Sequence, residues 1–249
     1  MLITIDLETC PAQDPAVLQS FRDAISANFK APSTMTKEQA AIELGLTDKD
    51  QIKFTSKDSM LAMWADKFKV EATEAQAQTE WRKTSFDGSC GHICVIGVAF
   101  DDEPPIALYY DLDWLGSEAK LLQDFANLID NRLAQEHSRP TFIGHNLVEF
   151  DLKFLFQRSV VLNVKPSRHI PFAARPWDDG VYDTMLKWGA KTGGSMAKIC
   201  KAIGLEGKGD IDGSKVWDYV QAGKIAEVAE YCRGDIDRTR AMYKRFNFI

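Results

Sequence analysis

Two carboxylates stand together near the start of the chain, in the stretch LITIDLETC. Period-2 alternation places Ile3, Ile5 and Leu7 on one face of a strand, and it places Asp6 and Glu8 together on the other face. Two like charges at this spacing repel each other unless a cation lies between them. The strand is therefore either the solvated edge of a sheet or half of a metal site, and residues later in the chain must decide between the two.

Asp151 is a third carboxylate, and its neighbours in the sequence are apolar. It follows a short apolar strand at 140–146, in the stretch HNLVEFDLKFL, where the chain passes into a helix. Helical spacing places Leu147, Phe150 and Phe154 beside it on the inward side. A carboxylate in such surroundings is costly unless it is paired or bound to a cation.

Tyr231 and Asp235 lie four positions apart on the helix predicted for the end of the chain, so their side chains share one face. Alone, this pair is equally well explained by an ion pair of Asp235 with Arg233 or Arg238. Combined with the other acids, it predicts that four carboxylates converge at one end of a sheet and hold two divalent cations. Oxygen ligands favour Mg²⁺ or Mn²⁺ over zinc, and two such ions stabilise the attacking and leaving oxygens of an in-line phosphoryl displacement.

A mixed sheet flanked by helices is the architecture that the hydrophobic periodicity predicts for positioning these residues. Strands are predicted at 2–7, 92–100, 105–112 and 140–146. Helices are predicted at 14–29, 36–45, 59–84, 116–135, 147–159, 193–205, 212–223 and 224–246. The predicted N-caps are Thr36 (with Gln39 completing a capping box), Asn146 (with Glu149 at the third position) and Ser195, and Gly45 is the predicted stop of the second helix.

The first two strands are separated by about 75 residues, which is too long for a plain loop. We therefore predict a single α/β domain over residues 1–249 with a helical insertion at about 11–85. The insertion carries basic and aromatic side chains that suit either contacts with single strands or an ordinary helical surface: Lys30, Lys37, Lys53, Trp64, Lys67 and Lys69.

Composition excludes some classes of protein. The net charge of −6 argues against a broad basic surface that grips nucleic acid, but bound cations would reverse the sign of an acidic site. The sequence contains neither an apolar run long enough to cross a bilayer nor a signal peptide, so no membrane association is expected. Five scattered cysteines suit reduced thiols and a cytoplasmic location.

With Asp6, Glu8, Asp151, Tyr231 and Asp235 in this order, the sequence resembles the tyrosine-bearing branch of the DEDD superfamily of 3′–5′ exonucleases. More narrowly, it is similar to the predicted exonucleases related to the proofreading domain of family B DNA polymerases. The resemblance covers residues 1–10 and 80–249, and it implies an RNase H-like fold. The supporting stretches are WRKTSFDGSCGHICVIGVA, VYDTM, GLEGKGDIDGSKVWDYV and EYCRGDIDRTRAMYKRF.

The resemblance also implies roles for individual residues. The four acids Asp6, Glu8, Asp151 and Asp235 would be the ligands of two Mg²⁺ or Mn²⁺ ions, and Tyr231 would orient the attacking water or help to deprotonate it. Asp183 corresponds to an acid near the site of the family, where a structural role is as well supported as a chemical one. Contacts with the terminal nucleotide would come from Thr9, Asn146, Phe150 and Lys208.

The implied substrate is a single-stranded DNA 3′ end, because the related domains proofread DNA. The protein would act in DNA replication or repair, alone or bound to a polymerase or repair-complex partner. Two alternatives stay open. One is an exoribonuclease acting on short RNA. The other is an RNase H-like binding module that serves a replication or repair complex without cutting.

Overall fold

The computed structural model describes residues 1–134, 139–189, 194–205 and 212–249. The chain divides into two compact units. The first, called the sheet unit here, comprises Met1–Pro11 and Thr84–Ile249. The second, called the helical unit, comprises Ala12–Lys83. Among the described residues, no helix combines the length and the apolar character needed to span a membrane.

The sheet unit is built on five strands in the order β3-β2-β1-β4-β5. β1 pairs antiparallel with β2 and parallel with β4, and β4 pairs parallel with β5. The carboxyl ends of β1, β4 and β5 therefore lie at the same edge of the sheet. The strands are β1 Leu2–Cys10, β2 His92–Phe100, β3 Ile106–Leu108, β4 Thr141–Gly144 and β5 Val181–Asp183.

Helices cover both faces of this sheet. On one face, Ile3, Ile5 and Leu7 of β1 belong to a core cluster with apolar side chains of α5 and α6. On the other face, apolar residues of α9 and α10 pack against Cys10 and Val95. The prediction of a mixed α/β, RNase H-like sheet flanked by helices is confirmed. The helices of this unit include α5 Glu118–Leu133, α6 Leu152–Val161, α7 Thr184–Gly189, α8 Met196–Ala202, α9 Val216–Gln221 and α10 Ile225–Phe246.

Gly97 lets α10 approach the sheet closely. It lies opposite Asp6 in the pairing of β1 with β2. A Cβ at this position would meet the Cys232 Sγ at 2.6 Å and the Ile236 Cγ1 at 3.2 Å. Since both side chains belong to a packed helix, neither can withdraw without moving the helix backbone. The glycine therefore sets how near α10 lies to the acids of β1.

We expect Gly97→Ala to lower the free energy of unfolding by about 1–3 kcal/mol, the usual cost of overpacking a core. Urea unfolding followed by circular dichroism measures the change. Gly180→Ala is the matched control, because a Cβ there meets nothing within 4 Å. Combining Gly97→Ala with Cys232→Ala should restore part of the loss. Equal stability of the two single alanine variants would contradict the close-packing explanation.

The helical unit contains α1 Pro15–Asn28, α2 Lys37–Leu44, α3 Lys49–Phe54 and α4 Lys57–Lys83. The predicted capping box is present, since Thr36 accepts from the Gln39 amide at 3.1 Å and Gln39 accepts from the Thr36 amide at 2.8 Å. The predicted stop is also confirmed, because Gly45 has the left-handed φ of 77° that ends α2.

Two side chains proposed for single-strand contacts bond within the helical unit itself. Lys67 donates to the carbonyls of Glu43 and Leu44 at the end of α2, and Trp64 donates to the Glu43 carboxylate at 2.6 Å. Both side chains therefore hold α2 against α4. A nucleic-acid role for the lysines of this unit stays a prediction.

Several local features differ from the predictions. β3 covers only Ile106–Leu108 of the strand predicted at 105–112, because its pairing with β2 ends at Leu108. The short β5, α3 and α7 were not predicted, since runs of three and six residues carry too little periodicity to be recognised. Asn146 precedes the next helix, but its side chain makes no capping bond, because the residue adopts a left-handed φ of 66°. Ser195 stands at the N-cap of α8 as predicted, but its side chain makes no capping bond either.

Candidate active site

β1 ends in a bulge beside the two acids that it carries. Glu8 lies opposite Val95 while Thr9 lies opposite Ile93, so Cys94 of β2 is the extra residue. The Cys94 thiol donates to the Glu8 carbonyl at 3.3 Å. A bulge of this kind re-aims the side chains next to it, and bulges are frequent beside active sites.

Asp6 and Glu8 lie on the face of the sheet that α10 covers. Glu8 is buried and Asp6 is half-buried. The Cys232 thiol of α10 donates to the Asp6 Oδ2 at 3.3 Å. One ligand atom from each of these three residues falls within 4.8 Å of the other two. Burial, followed by the charges of Asp6 and Glu8, raises the pKa of the Cys232 thiol, which therefore stays protonated as a donor.

Asp151 approaches β1 from the carboxyl end of β4. β4 pairs with β1 only from Leu2 to Thr4, and the Asp151 Oδ1 accepts the amide of Leu7 at 3.0 Å further along the strand. The carboxylate thus continues the hydrogen bonding of β1 beyond the paired segment. Its exposed fraction is 2%, and burial, followed by the charge of Asp6, raises its pKa. This negative charge is therefore costly in its present surroundings.

Tyr231 and Asp235 are both buried on the inward face of α10, as their spacing predicts. The Tyr231 hydroxyl donates to Asp235, and burial, followed by the charges of Glu8 and Asp235, raises the pKa of the phenol. Asp235 also accepts from the Arg238 Nε at 3.0 Å and Nη2 at 2.7 Å. Of the two partners that the sequence allowed, Arg238 is the one that pairs with Asp235, since Arg233 bonds Glu230.

An open cavity of ≈ 420 Å³ joins these groups. Among the predicted metal ligands, Asp6, Glu8 and Asp235 line it, whereas Asp151 is not part of the lining. Tyr231 and three of the four proposed substrate contacts also line it: Thr9, Asn146 and Phe150. The fourth, Lys208, lies outside the described residues.

Thr9 and Phe150, two of the proposed substrate contacts, are held in different ways. The Thr9 hydroxyl donates to the Ser85 carbonyl at 2.7 Å. The Phe150 ring is half-buried and packs against Phe154 at 5.6 Å and against Phe86 at 6.1 Å. Phe86 is 71% exposed, so the two rings present a partly open aromatic wall. Such a wall suits the stacking of a base or sugar.

Asp183 organises the backbone beside the cavity. Its exposed fraction is 0%, and its carboxylate accepts the amides of Asn146 and Val148 at 3.1 and 3.2 Å. It also accepts the amides of Met185 and Leu186 at 3.0 and 3.2 Å. These four bonds tie the chain after β4 to the chain after β5. They explain why Asn146 is held in its left-handed conformation, and they support the structural reading of Asp183.

Cys232 and several residues of the cavity lining were not identified from the sequence. Cys232 does not line the cavity but donates to Asp6. A signal for it was present, because a residue three positions before Asp235 lies beside it on the helix surface. The lining residues that were missed lie in connecting segments or at the start of α7 and α8, where their positions depend on tertiary contacts: Ser85, Phe86, His145, Met185, Ser195, Met196, Gly213 and Ser214.

Residues 93–249 match the family described as predicted 3′–5′ exonucleases related to the exonuclease domain of PolB. The chain belongs to this family. The PolB-related exonuclease family is a family of nucleases, so its members hydrolyse nucleic acid and typically use divalent metal ions. No curated protein matches the chain. The matched region contains Asp151, Tyr231 and Asp235, and it begins after the strand that carries Asp6 and Glu8.

The donor set of the cavity fits divalent cations. Asp6, Glu8 and Asp235 present oxygen ligands to one space, and Asp151, whose pKa is raised by burial and by the charge of Asp6, bonds the amide of Leu7. Bringing this many carboxylates together costs free energy that a cation would recover. The carboxylates that line the cavity offer oxygen ligands, which Mg²⁺ and Mn²⁺ prefer, and the Cys232 thiol donates to one of them, Asp6.

Proposed function

We propose that this protein is a metal-dependent 3′–5′ exonuclease that removes nucleoside monophosphates from the 3′ end of single-stranded DNA. The observation that carries the proposal is the convergence of Asp6, Glu8 and Asp235 on one open cavity, with Asp151 hydrogen-bonded to β1 at Leu7, between Asp6 and Glu8. The family supports the direction of cleavage. The aromatic wall of the cavity supports an unpaired terminal nucleotide, because stacking on a side chain requires an unstacked base.

In this proposal the four acids hold two Mg²⁺ or Mn²⁺ ions, which when bound stabilise the attacking and leaving oxygens of the displacement. The Tyr231 hydroxyl donates to Asp235, and burial raises the pKa of the phenol. In this proposal the hydroxyl orients the attacking water by a hydrogen bond. Asp235 and Arg238 hold this part of α10 in place through their paired bonds.

The terminal nucleotide is positioned by the remaining lining residues. Phe150, with Phe86 at its edge, stacks on the base or sugar. The Thr9 hydroxyl bonds Ser85, so its oxygen is left as an acceptor for the 3′-hydroxyl. Asn146 contacts the same nucleotide from the end of β4. We further propose that the protein acts in the cytoplasm in DNA replication or repair, alone or with a polymerase or repair-complex partner.

Labelled oligonucleotides test the proposal directly. We expect a 5′-labelled single-stranded DNA to give a descending ladder of products with Mg²⁺ or Mn²⁺ and no products with EDTA. A ladder from RNA but not from DNA would identify an exoribonuclease instead. Binding without any cleavage in either metal would identify a non-cutting module. A 3′-labelled strand that loses its label last would contradict the direction of cleavage.

Metal binding is measurable without a substrate. We expect millimolar Mn²⁺ to raise the melting temperature of the wild-type protein, because a ligand at 100 times its Kd stabilises the native state by about 2.7 kcal/mol. Glu8→Gln should reduce the shift, since it removes one charged ligand that lines the cavity. Glu149→Gln removes an exposed acid outside the lining and is the control. An equal shift in all three proteins would argue against the assigned ligands.

A further inference from the structure

A second hollow lies at the other edge of the sheet. It has a volume of ≈ 800 Å³ and is formed by residues 139–141 at the start of β4, 168–171 after α6 and 177–180 before β5. β1, β4 and β5 are parallel, so the amino ends of β4 and β5 lie opposite the edge that carries Asp6 and Glu8. We call this second hollow the distal hollow. Its lining is Arg139, Pro140, Thr141, Arg168, His169, Pro171, Trp177, Asp178, Asp179 and Gly180.

The walls of the distal hollow are fixed by hydrogen bonds of the chain itself. The Thr141 hydroxyl donates to the Asp179 carbonyl at 3.3 Å, and the Asp178 Oδ2 accepts the amide of Arg175 at 2.8 Å. On the other side, the hydroxyl of the buried Ser167 donates to Asp130 at 2.5 Å and accepts the amide of His169 at 3.2 Å. The hollow therefore exists without a ligand to shape it.

Two exposed arginines contribute positive charge and hydrogen-bond donors to the distal hollow. Arg139 and Arg168 both line it, and neither forms an ion pair with another residue in the part of the chain that the structure describes. The Arg168 Nε donates to the His169 ring at 3.3 Å. Asp178 and Asp179 share the lining, so the hollow is not basic overall, and the two guanidinium groups are its elements that suit an anion. Guanidinium groups match the geometry of phosphate oxygens.

Trp177 adds a flat aromatic surface to the same hollow. Its side chain is 73% exposed, which is unusual for the largest apolar side chain. Phosphate-binding cations beside an exposed aromatic ring are the two elements by which proteins hold single strands without reading their sequence. Of the two acids in the lining, the Asp178 carboxylate is engaged by the backbone of its own turn, which reduces its repulsion of a phosphate, and the charge of Asp179 is the one that the arginines must offset.

We propose that the distal hollow binds the part of a single strand that lies upstream of its 3′ end, while the 3′ end occupies the candidate active site. This inference rests on the proposed exonuclease function. Asn146 follows Arg139 by seven positions, so at about 3.3 Å per extended residue the straight separation of the two sites along β4 is at most roughly 23 Å. A single strand must pass over the helices that cover the sheet, so at about 3.4 Å per nucleotide it needs about seven nucleotides or more to join the two sites. Short oligonucleotides therefore reach only one site, and longer ones reach both.

The test compares the affinities for a trinucleotide and for a twenty-nucleotide oligodeoxythymidylate, each with a 5′ fluorescent label, in EDTA. We expect Arg139→Ala/Arg168→Ala to lower the preference for the longer strand about tenfold. The slope of log Kd against log salt for that strand should fall by about 1.4, because each lost phosphate contact with a single strand removes about 0.7. Lys165→Ala/Arg245→Ala removes two exposed charges that line neither cavity and should leave both quantities unchanged.

Trp177→Ala provides an independent variant, which should lower the same preference about fivefold or more through lost stacking. Melting temperatures verify that each variant is folded. An unchanged length preference and salt slope in both variants would overturn the proposal. A second result would also overturn it: the double arginine variant loses binding of polyglutamate but keeps its binding of oligonucleotides. The partner of the distal hollow would then be an acidic protein. Cleavage of the trinucleotide by the wild-type protein with Mn²⁺ tests the proposed function separately.

Discussion

Asp151→Asn is expected to lower the rate of exonuclease cleavage by roughly 10²–10³-fold or more, the scale seen when one preorganised electrostatic group is removed. The amide keeps an oxygen that can accept the Leu7 amide, as the carboxylate does at 3.0 Å. The variant therefore loses the charge while it keeps the hydrogen bond that holds β1. Single-turnover cleavage of a 5′-labelled DNA strand with Mn²⁺ measures the effect.

The same substitution should stabilise the protein in EDTA at neutral pH. Burial and the charge of Asp6 raise the pKa of Asp151 in the folded state, so the unfolded chain binds fewer protons in the interval between the two pKa values. The stability of the wild-type protein therefore falls as the pH rises through that interval, and the asparagine variant is spared this loss. Below the unfolded pKa of about 3.9 the advantage should disappear.

Glu149→Gln is the matched control for Asp151→Asn. It makes the same change from acid to amide two positions earlier, on an exposed side chain. We expect it to alter neither the rate nor the dependence of stability on pH. An Asp151→Asn protein that cleaves at the wild-type rate would remove Asp151 from the metal ligands. One that melts at a much lower temperature at neutral pH would show that the carboxylate is chiefly a structural group.

Tyr231→Phe is expected to lower the cleavage rate by roughly 10²-fold, at the lower end of the range for a group that positions or transfers a proton. The ring stays, so the packing of α10 is kept, while the hydroxyl that donates to Asp235 is lost. The Mn²⁺-induced rise in melting temperature should persist, because the phenol is not one of the proposed ligands. Tyr243→Phe removes a hydroxyl from the same helix outside the cavity and should leave the rate unchanged.

The pH dependence of the Tyr231→Phe rate separates two explanations. If the hydroxyl orients the water while keeping its proton, the rate falls by the same factor at every pH. A loss that grows toward high pH would indicate that the phenol acts as a base, against the direction of its pKa shift. Near-wild-type cleavage would make Tyr231 a packing residue of α10.

The sequence alone predicted a mixed sheet with flanking helices, and it named the five residues proposed for catalysis. Local physics explains why two pairs of these residues each share one face of an element. Alternation on β1 places Asp6 and Glu8 on one face, and helical spacing places Tyr231 and Asp235 on one face of α10. The capping box at Thr36 and the left-handed Gly45 likewise depend on residues at most four positions apart. Such patterns survive in the folded protein because they involve a single element.

Only the tertiary structure decided how these elements meet. The bulge between Glu8 and Thr9 depends on pairing with β2, and the bond from Leu7 to Asp151 joins residues 144 positions apart. The capping role predicted for Asn146 failed because Asp183, on another strand, accepts its amide and supports a left-handed turn. The sequence around Gly97 does not explain why this residue is a glycine; the reason is that Cys232 packs over it and leaves no space for a Cβ. Contacts between residues far apart in the chain depend on the whole arrangement of strands and helices. The sequence around each of these residues has no periodic pattern that would reveal its distant partner.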